Sequence, residues 1–170
     1  MITLRSATQD DAEAIASLLT ELDRYYGATY DEPPAEWVPA IRHEIFGERP
    51  ASYLLLAWDD LRLVGLASYS FLWPAAGVTR SLYLKELFVT EDRRGTGLGQ
   101  HLMRELCRIA IDAGCSRAEW TADTDNPIAQ RFYAMLGVPP VSSKILYRLG
   151  GDDLERMART PADTTRPSER

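Results

Sequence analysis

The stretch that decides the fold is residues 82–100, LYLKELFVTEDRRGTGLGQ. It begins as an alternating apolar strand, passes through a short acidic turn and enters an arginine-glycine loop, after which an amphipathic helix starts. Gly95, Gly97 and Gly99 occupy alternate positions in that loop. A glycine-rich loop exposes successive backbone N–H groups, and the positive end of the helix dipole behind it favours an anion. The sequence therefore predicts a cradle for a phosphate-bearing ligand.

The spacing of these glycines argues against two common phosphate loops. A P-loop needs two glycines separated by four residues and then Lys followed by Ser or Thr, and the chain has no Gly-Lys pair. The dinucleotide fingerprint reads Gly-x-Gly-x-x-Gly, whereas this loop reads Gly-x-Gly-x-Gly and closes one residue early. A nucleotide- or dinucleotide-binding enzyme is therefore disfavoured. A glycine-rich turn without a ligand is the plain alternative, which the strand before the loop and the helix after it disfavour.

The composition narrows the class of protein. With 170 residues, of which 45% are hydrophobic and 26% charged, the chain suits one soluble domain with a substantial core. A net charge of -6 argues against a general binder of nucleic acid or anionic membranes. No apolar run reaches the roughly 18 residues that a membrane span requires. Since no signal peptide is visible before the first strand, we expect a cytoplasmic protein.

Cysteine and histidine usage indicates neither a disulfide framework nor a metal site. Cys107 and Cys115 lie in or beside one predicted helix, so we expect two buried thiols in a reducing compartment. His43 and His101 belong to no metal-ligand cluster of recognisable spacing. The chain also lacks the Gly-x-Ser-x-Gly of a hydrolase nucleophile elbow. We expect no metal cofactor.

Hydrophobic periodicity predicts an α/β chain in the order β-α-α-β-β-β-α-β-α-β. Residues 8–11 resemble a capping box at the start of the first helix, and a second helix is predicted over residues 35–46. The other predicted elements are strands over residues 2–5, 53–58, 63–72, 79–89, 116–121 and 141–149, and helices over residues 98–113 and 127–137. This order indicates a mixed, mostly antiparallel sheet with helices on both faces. Residues 1–150 are expected to form the domain, and residues 151–170 a helical turn and a frayed polar tail.

A second motif occupies residues 126–137, NPIAQRFYAMLG. Asn126 is an amide-bearing cap, and Pro127 follows at the favoured first helical position. Gly137 is the usual left-handed stop of a helix. A lone tyrosine such as Tyr133 on a helix of this kind is usually a core residue with a satisfied hydroxyl.

Taken together, the two motifs resemble the GCN5-related N-acetyltransferase (GNAT) family. Arg94-x-x-Gly97-x-Gly99 looks like the acyl-CoA pyrophosphate loop of that family. Residues 126–137 match its second signature, Asn-x-x-Ala-x-x-Phe-Tyr-x-x-x-Gly, and the element order over residues 2–149 is that of its fold. The resemblance implies an enzyme that uses acetyl-CoA as co-substrate, without a metal. A non-catalytic acyl-CoA sensor on the same fold is the alternative.

The same resemblance implies site residues. Tyr133 would hydrogen-bond the CoA sulfur and protonate the departing thiolate, and Asn126 would contact the pantetheine arm. Beside a bulge in the strand, the backbone of Leu87, Phe88 and Val89 would pair with the pantetheine amides. Backbone N–H groups of the loop would hold the pyrophosphate; the loop residues are Arg94, Gly95, Thr96, Gly97, Leu98 and Gly99. Glu86 is the candidate general base, acting through a water; the alternative is a solvated carboxylate or one paired with Lys85.

Within the family, the chain looks most like the diamine (spermidine/spermine) acetyltransferases and their bacterial relatives. Tyr26, Lys85 and Ile145, however, stand where the diamine enzymes carry carboxylates, and Lys144 adds a positive charge. A polycation is disfavoured by such a site, so we expect a small primary amine of amino-acid or diamine type, rather than spermidine, that contacts Tyr26 and Lys85. Many relatives form homodimers through their C-terminal strands, and apolar residues within 141–149 permit a homodimer here.

Overall fold

A mixed five-stranded sheet forms the centre of the computed structural model, which describes residues 1–160. Its strands lie in the order β1-β2-β3-β4-β5 and are β1 (Ile2–Ser6), β2 (Tyr53–Asp59), β3 (Arg62–Leu72), β4 (Arg80–Val89) and β5 (Cys115–Trp120). Neighbours among the first four strands are antiparallel, while β5 runs parallel to β4. A parallel neighbour requires a crossover connection, which the helix after the glycine loop supplies. The predicted mixed, mostly antiparallel sheet is confirmed.

Residues 1–160 contain five α-helices. They are α1 (Ala12–Tyr25), α2 (Trp37–Phe46), α3 (Leu98–Asp112), α4 (Pro127–Met135) and α5 (Gly151–Arg159). None of these described helices is long and apolar enough to cross a membrane. The chain divides into one compact unit, Met1–Gln130, and a second that begins at Arg131.

The two faces of the sheet carry different helices in the first unit. Leu66 and Phe88 belong to a buried cluster with the apolar residues of α1 and α2. The neighbouring Gly65 faces α3, since a Cβ at this position would lie 3.5 Å from Cδ1 of Leu102. Successive residues of a strand point to opposite faces, so α1 and α2 cover one face and α3 covers the other. This arrangement confirms the predicted helices on both faces.

The predicted capping box is present, and it caps the 3₁₀ turn Gln9–Asp11 that leads directly into α1. The carboxylate of Asp11, which is 5% exposed, accepts the backbone N–H of Thr8 at 2.7 Å. The guanidinium of Arg5 reaches both oxygens of the same carboxylate, at 2.6 and 2.7 Å. These bonds, led by the one from Arg5, lower the pKa of Asp11 from 3.8 to about 2. The ion pair therefore ties the start of α1 to β1.

Two of the sequence-based predictions are wrong. Residues 141–149 form no strand, and all of them are exposed. A strand needs a partner for its backbone N–H and C=O groups, and no described strand pairs with this run. Cys107 is also exposed rather than buried, because the buried stripe of α3 passes through Leu102, Met103 and Leu106.

The predicted helical turn after residue 151 is the nine-residue helix α5. The frayed part of the predicted tail, residues 161–170, lies outside the described residues.

Candidate active site

Strand β4 loses its parallel neighbour about halfway along its length. It pairs with β5 from Arg80 to Leu84, and no described strand pairs with that edge of β4 beyond this point. On its other edge, Leu84 lies opposite Tyr69 and Glu86 lies opposite Ser68. The residue between them, Lys85, is therefore the extra residue of a β-bulge. The bulge and the end of the β5 pairing coincide, so the second half of β4 has one open edge.

The open edge presents the main-chain groups of Leu87 and Val89. The N–H of Thr90 donates to the carbonyl of Val64 at 3.0 Å, and the backbone groups of an antiparallel ladder alternate in direction. Leu87 and Val89 therefore turn their N–H and C=O groups away from β3. In agreement, the carbonyl of Val89 accepts the Nε–H of Arg94 at 3.0 Å.

The side chain of Arg94 is held by aromatic rings. Its guanidinium carbon lies 4.5 Å from the ring centroid of Tyr25 and 5.5 Å from that of Phe88. The Phe88 ring is 6% exposed, and its backbone groups turn towards β3 by the same alternation. Arg94 thus connects the end of α1 to β4 through cation–π contacts. Phe88 supports the site with its side chain, while its main chain belongs to the sheet.

The glycine loop between β4 and α3 contains two left-handed residues. Gly95 has a φ of 75° and Gly97 a φ of 88°, conformations that glycine adopts without the Cβ clash of other residues. The hydroxyl of Thr96, which lies between them, donates to the carbonyl of Arg93 at 2.7 Å. The loop is therefore bent by its glycines and braced by one threonine side chain.

Helix α3 begins immediately after this bend. Gly97 is its N-terminal cap residue, and the first backbone N–H with an acceptor in the helix is that of His101, which bonds the Gly97 carbonyl at 3.0 Å. The N–H groups of Leu98 and Gly99 belong to the first turn, where no intrahelical acceptor exists. No side chain caps this helix end. The site therefore offers several backbone donors at the positive end of a fifteen-residue helix.

Glu86 is half-buried beside the bulge. Burial raises the pKa of its carboxyl group. The N–H of Leu87 and the charge of Lys85 oppose this increase, whereas the nearby charge of Asp23 adds to it. Within residues 1–160, no Lys or Arg nitrogen forms a salt bridge with Glu86, so the predicted alternative of a pair with Lys85 is not formed. A carboxylate with a raised pKa and no bound cation is suited to accept a proton.

The C-terminal end of α1 lies close to Glu86. Tyr26 is 62% exposed, and its pKa is raised by partial burial and then by the charge of Glu86. Asp23, one turn earlier, accepts a short hydrogen bond from the hydroxyl of Tyr30. Tyr26 thus lies near enough to Glu86 for the carboxylate charge to act on its hydroxyl, while the side chain of Lys85 is exposed at the bulge. Sequence reasoning does not single out Asp23, because its only signal is a position one turn before Tyr26.

Asn126 and Tyr133 shape the two ends of α4. Oδ1 of Asn126 accepts the N–H of Ala129 at 3.0 Å, which is the predicted cap. In the second unit, Tyr133 is half-buried, and its ring centroid lies 5.1 Å from that of Phe132. The N–H of Val138 donates to the Tyr133 carbonyl at 3.2 Å across Gly137, whose φ is 75°. This bond is the predicted glycine stop of the helix.

Comparison with known proteins places the chain in a family. Residues 15–138 match the model of the Acetyltransferase (GNAT) family. The thialysine N-epsilon-acetyltransferase of Mus musculus is 24% identical over 166 residues, which cover 91% of this chain and 96% of that protein.

Solved structures share the fold of this chain. An integron cassette protein from V. cholerae superposes with a TM-score of 0.83 at 30% identity, covering 94% of this chain and 98% of that one. An aminoglycoside N-acetyltransferase in complex with CoA superposes with a TM-score of 0.70 at 20% identity, covering 87% and 94% of the two chains, and shows the same fold. The chain therefore belongs to the GNAT family and is an acetyl-transferring enzyme.

Proposed function

We propose that this enzyme transfers the acetyl group of acetyl-CoA directly to a primary amine of a small molecule, of amino-acid or diamine type. The observation that carries the proposal is the position of Glu86. Its half-buried carboxylate, which has no salt-bridge partner among the described residues, stands at the bulge where the open edge of β4 begins.

The donor is bound mainly by backbone groups in this proposal. The N–H groups of the glycine loop and the first turn of α3 hold the pyrophosphate; they belong to Gly95, Thr96, Gly97, Leu98 and Gly99. The main chains of Leu87 and Val89 pair with the pantetheine amides, and Asn126 contacts the pantetheine arm. The Val89 carbonyl is bonded by Arg94 in this structure, so the pantetheine displaces that side chain from it.

The reaction then requires three proton transfers. A primary amine has a pKa near 10 and is mostly protonated at neutral pH, so Glu86 accepts a proton from it through a water before attack. The nitrogen forms a bond to the thioester carbon, and backbone N–H groups stabilise the charge on the carbonyl oxygen. The C–S bond breaks as the intermediate collapses, and the hydroxyl of Tyr133 donates a proton to the CoA thiolate. The new amide nitrogen then loses its extra proton, which restores the Tyr133 hydroxyl. No covalent enzyme intermediate is needed.

The acceptor is proposed to contact Tyr26 and Lys85. Tyr26 is close enough to Glu86 for the carboxylate charge to raise its pKa, and Lys85 is exposed at the bulge. The name of the thialysine N-epsilon-acetyltransferase indicates an amine acceptor in a relative that covers most of the chain. A positive charge at Lys85 favours an acceptor with few positive charges.

An amine panel tests the proposal. We expect the enzyme to release CoA from acetyl-CoA when supplied with small amines and amino acids, and Tyr133→Phe to slow this release while still binding acetyl-CoA. Calorimetric titration with acetyl-CoA, ATP and NAD checks the donor separately. Binding of NAD without acetyl-CoA would overturn the donor. Binding of acetyl-CoA without CoA release across the whole panel would instead identify a sensor module.

We also propose that the protein is cytoplasmic, that residues 1–150 form its catalytic domain and that it is a homodimer. Five large apolar side chains are exposed between residues 141 and 149, namely Val141, Ile145, Leu146, Tyr147 and Leu149, and a second copy would cover them. Light scattering on Ile145→Lys is expected to give a monomer where the wild type gives a dimer. A monomeric wild type would contradict the proposal.

A further inference from the structure

A pocket of 340 Å³ opens between α1, α2 and the sheet in the first unit. It is lined by eleven residues from α1, α2, β2, β3 and β4, of which eight are apolar and the other three are Glu44, Ser68 and Glu86. Its volume is near the lower end of the range for small-molecule sites, roughly 300–1,000 Å³. The pocket therefore suits a small ligand with an apolar body.

The polar groups of the pocket are two carboxylates and one hydroxyl. The hydroxyl of Ser68 already bonds that of Ser52 at 2.8 Å. The Glu44 side chain is 58% exposed and lies at the rim, whereas Glu86 is half-buried. Among the described residues, no cationic side chain lines the pocket. A cationic amine is thus the complementary head group, and Glu86 is its partner.

Resting on the function proposed above, we infer that this pocket receives the non-reacting part of the acceptor. The acceptor is then a primary amine with an unbranched apolar chain and no second ammonium group, which narrows the function proposed above and disfavours its diamine type. Its nitrogen lies at Glu86, and its chain contacts the side chains of α1 and α2, such as Leu19 and Ile41. Burying an apolar chain there favours binding by about fourfold per methylene group. A second ammonium group on the chain opposes binding, because it would lie among apolar side chains.

A series of straight-chain amines from ethylamine to octylamine tests the inference. We expect kcat/KM to rise about fourfold with each added methylene until the pocket is filled, and then to stop rising. An α,ω-diamine is expected to react more slowly than the monoamine of equal length. A flat series, or a diamine preferred at equal length, would overturn the inference.

A matched pair of variants locates the chain in the pocket. Ala40 lines the pocket and is exposed on α2, so Ala40→Leu narrows the space without adding volume to the core. We expect it to lower kcat/KM for the longest amines about tenfold and to leave ethylamine unaffected. Ser17→Leu adds similar bulk on the exposed face of α1, outside the pocket, and is expected to leave the whole series unchanged. If Ala40→Leu also leaves it unchanged, the inference fails.

The failure of the inference and that of the proposed function are distinguishable. If ethylamine or an amino acid is acetylated but chain length has no effect, the enzyme is an amine acetyltransferase whose acceptor avoids the pocket. If no amine of any length releases CoA, the proposed function fails and the inference fails with it.

Discussion

The glycine-loop region, residues 84–100, and the helix-pocket region, formed by α1, α2 and Glu86, are built in opposite ways. The first offers mainly backbone groups: the open edge of β4 and the first turn of α3. The second offers side chains, and those that line its pocket come from five different elements of the chain. Backbone donors bind any ligand with the same phosphate and amide pattern, whereas side chains discriminate between ligands. The glycine-loop region therefore suits the acetyl-CoA donor, which needs no chain-specific side chains, whereas the helix-pocket region decides which acceptor binds to this chain.

Glu86 lies where the two regions meet, so Glu86→Gln is expected to have the largest effect. Without a general base, kcat/KM for the amine falls by about 100-fold or more, while the affinity for acetyl-CoA is unchanged. Burial raises the pKa of Glu86. The wild-type pH–rate profile should therefore have a rising limb at a pH above the ordinary pKa range of glutamate. That limb should be absent from the variant in a pH–rate profile. Unchanged turnover would assign the base to another group.

A substitution at the start of α1 measures how much the ion pair there contributes to the stability of the helix-pocket region. Asp11→Asn removes the carboxylate that pairs with Arg5 and should lower the free energy of unfolding by about 2–3 kcal/mol at neutral pH. The wild-type pair is intact above about pH 4 and is lost as pH falls through the lowered pKa of about 2. Denaturant unfolding at pH 7 measures the difference.

Asp92→Asn is the matched control. Asp92 pairs with Arg62 through two hydrogen bonds, but its side chain is 49% exposed. The loss of stability should therefore be clearly smaller than for Asp11→Asn, because solvent screens an exposed pair. Equal losses for the two variants would show that burial of Asp11 does not strengthen its pair.

The two regions also differ in how far the sequence predicts them. The loop is local: its glycines, the strand before it and the helix after it are adjacent in the chain, so their spacing alone predicts a phosphate cradle. The bulge at Lys85 and the loss of the β5 partner depend on pairing with distant strands and are seen only in the fold.

The pocket is harder still to predict. Leu19, Ile41 and Leu66 read as ordinary core positions, and only their packing leaves a pocket beside Glu86. Residues 141–149 show the opposite error, because their apolar character favours a strand but no partner strand is present within residues 1–160. Local periodicity identifies elements, and tertiary pairing decides which of them form.

A substitution at Gly97 tests whether the loop binds acetyl-CoA through its backbone conformation. The φ of 88° at Gly97 strains any other residue, and no atom of residues 1–160 would lie within 4 Å of an added Cβ. Gly97→Ala should therefore act through the backbone alone, at a cost of about 1–2 kcal/mol. We expect the KM for acetyl-CoA to rise about tenfold, with the chain-length preference among amines retained.

Gly114→Ala is the control for this strain. Gly114 has a φ of 69° and equally open surroundings, but it lies beyond the other end of α3. It should cost similar stability in thermal unfolding and leave the KM for acetyl-CoA unchanged. If both variants raise that KM, the increase comes from general destabilisation and not from a change in the bend of the glycine loop.

The smallest expected effect is on stability, and it comes from the same residue as the largest effect on rate. A carboxyl group whose pKa is raised on folding stabilises the fold fully below its unfolded pKa, and that contribution is lost as pH rises through the folded pKa. Glu86→Gln does not titrate, so its melting temperature should match the wild type in acid and exceed it slightly at pH 7. Melting curves at the two pH values measure this difference. A variant less stable than the wild type at pH 7 would mean that Glu86 serves packing. A more stable but inactive variant would show that the buried carboxylate serves proton transfer and lowers stability.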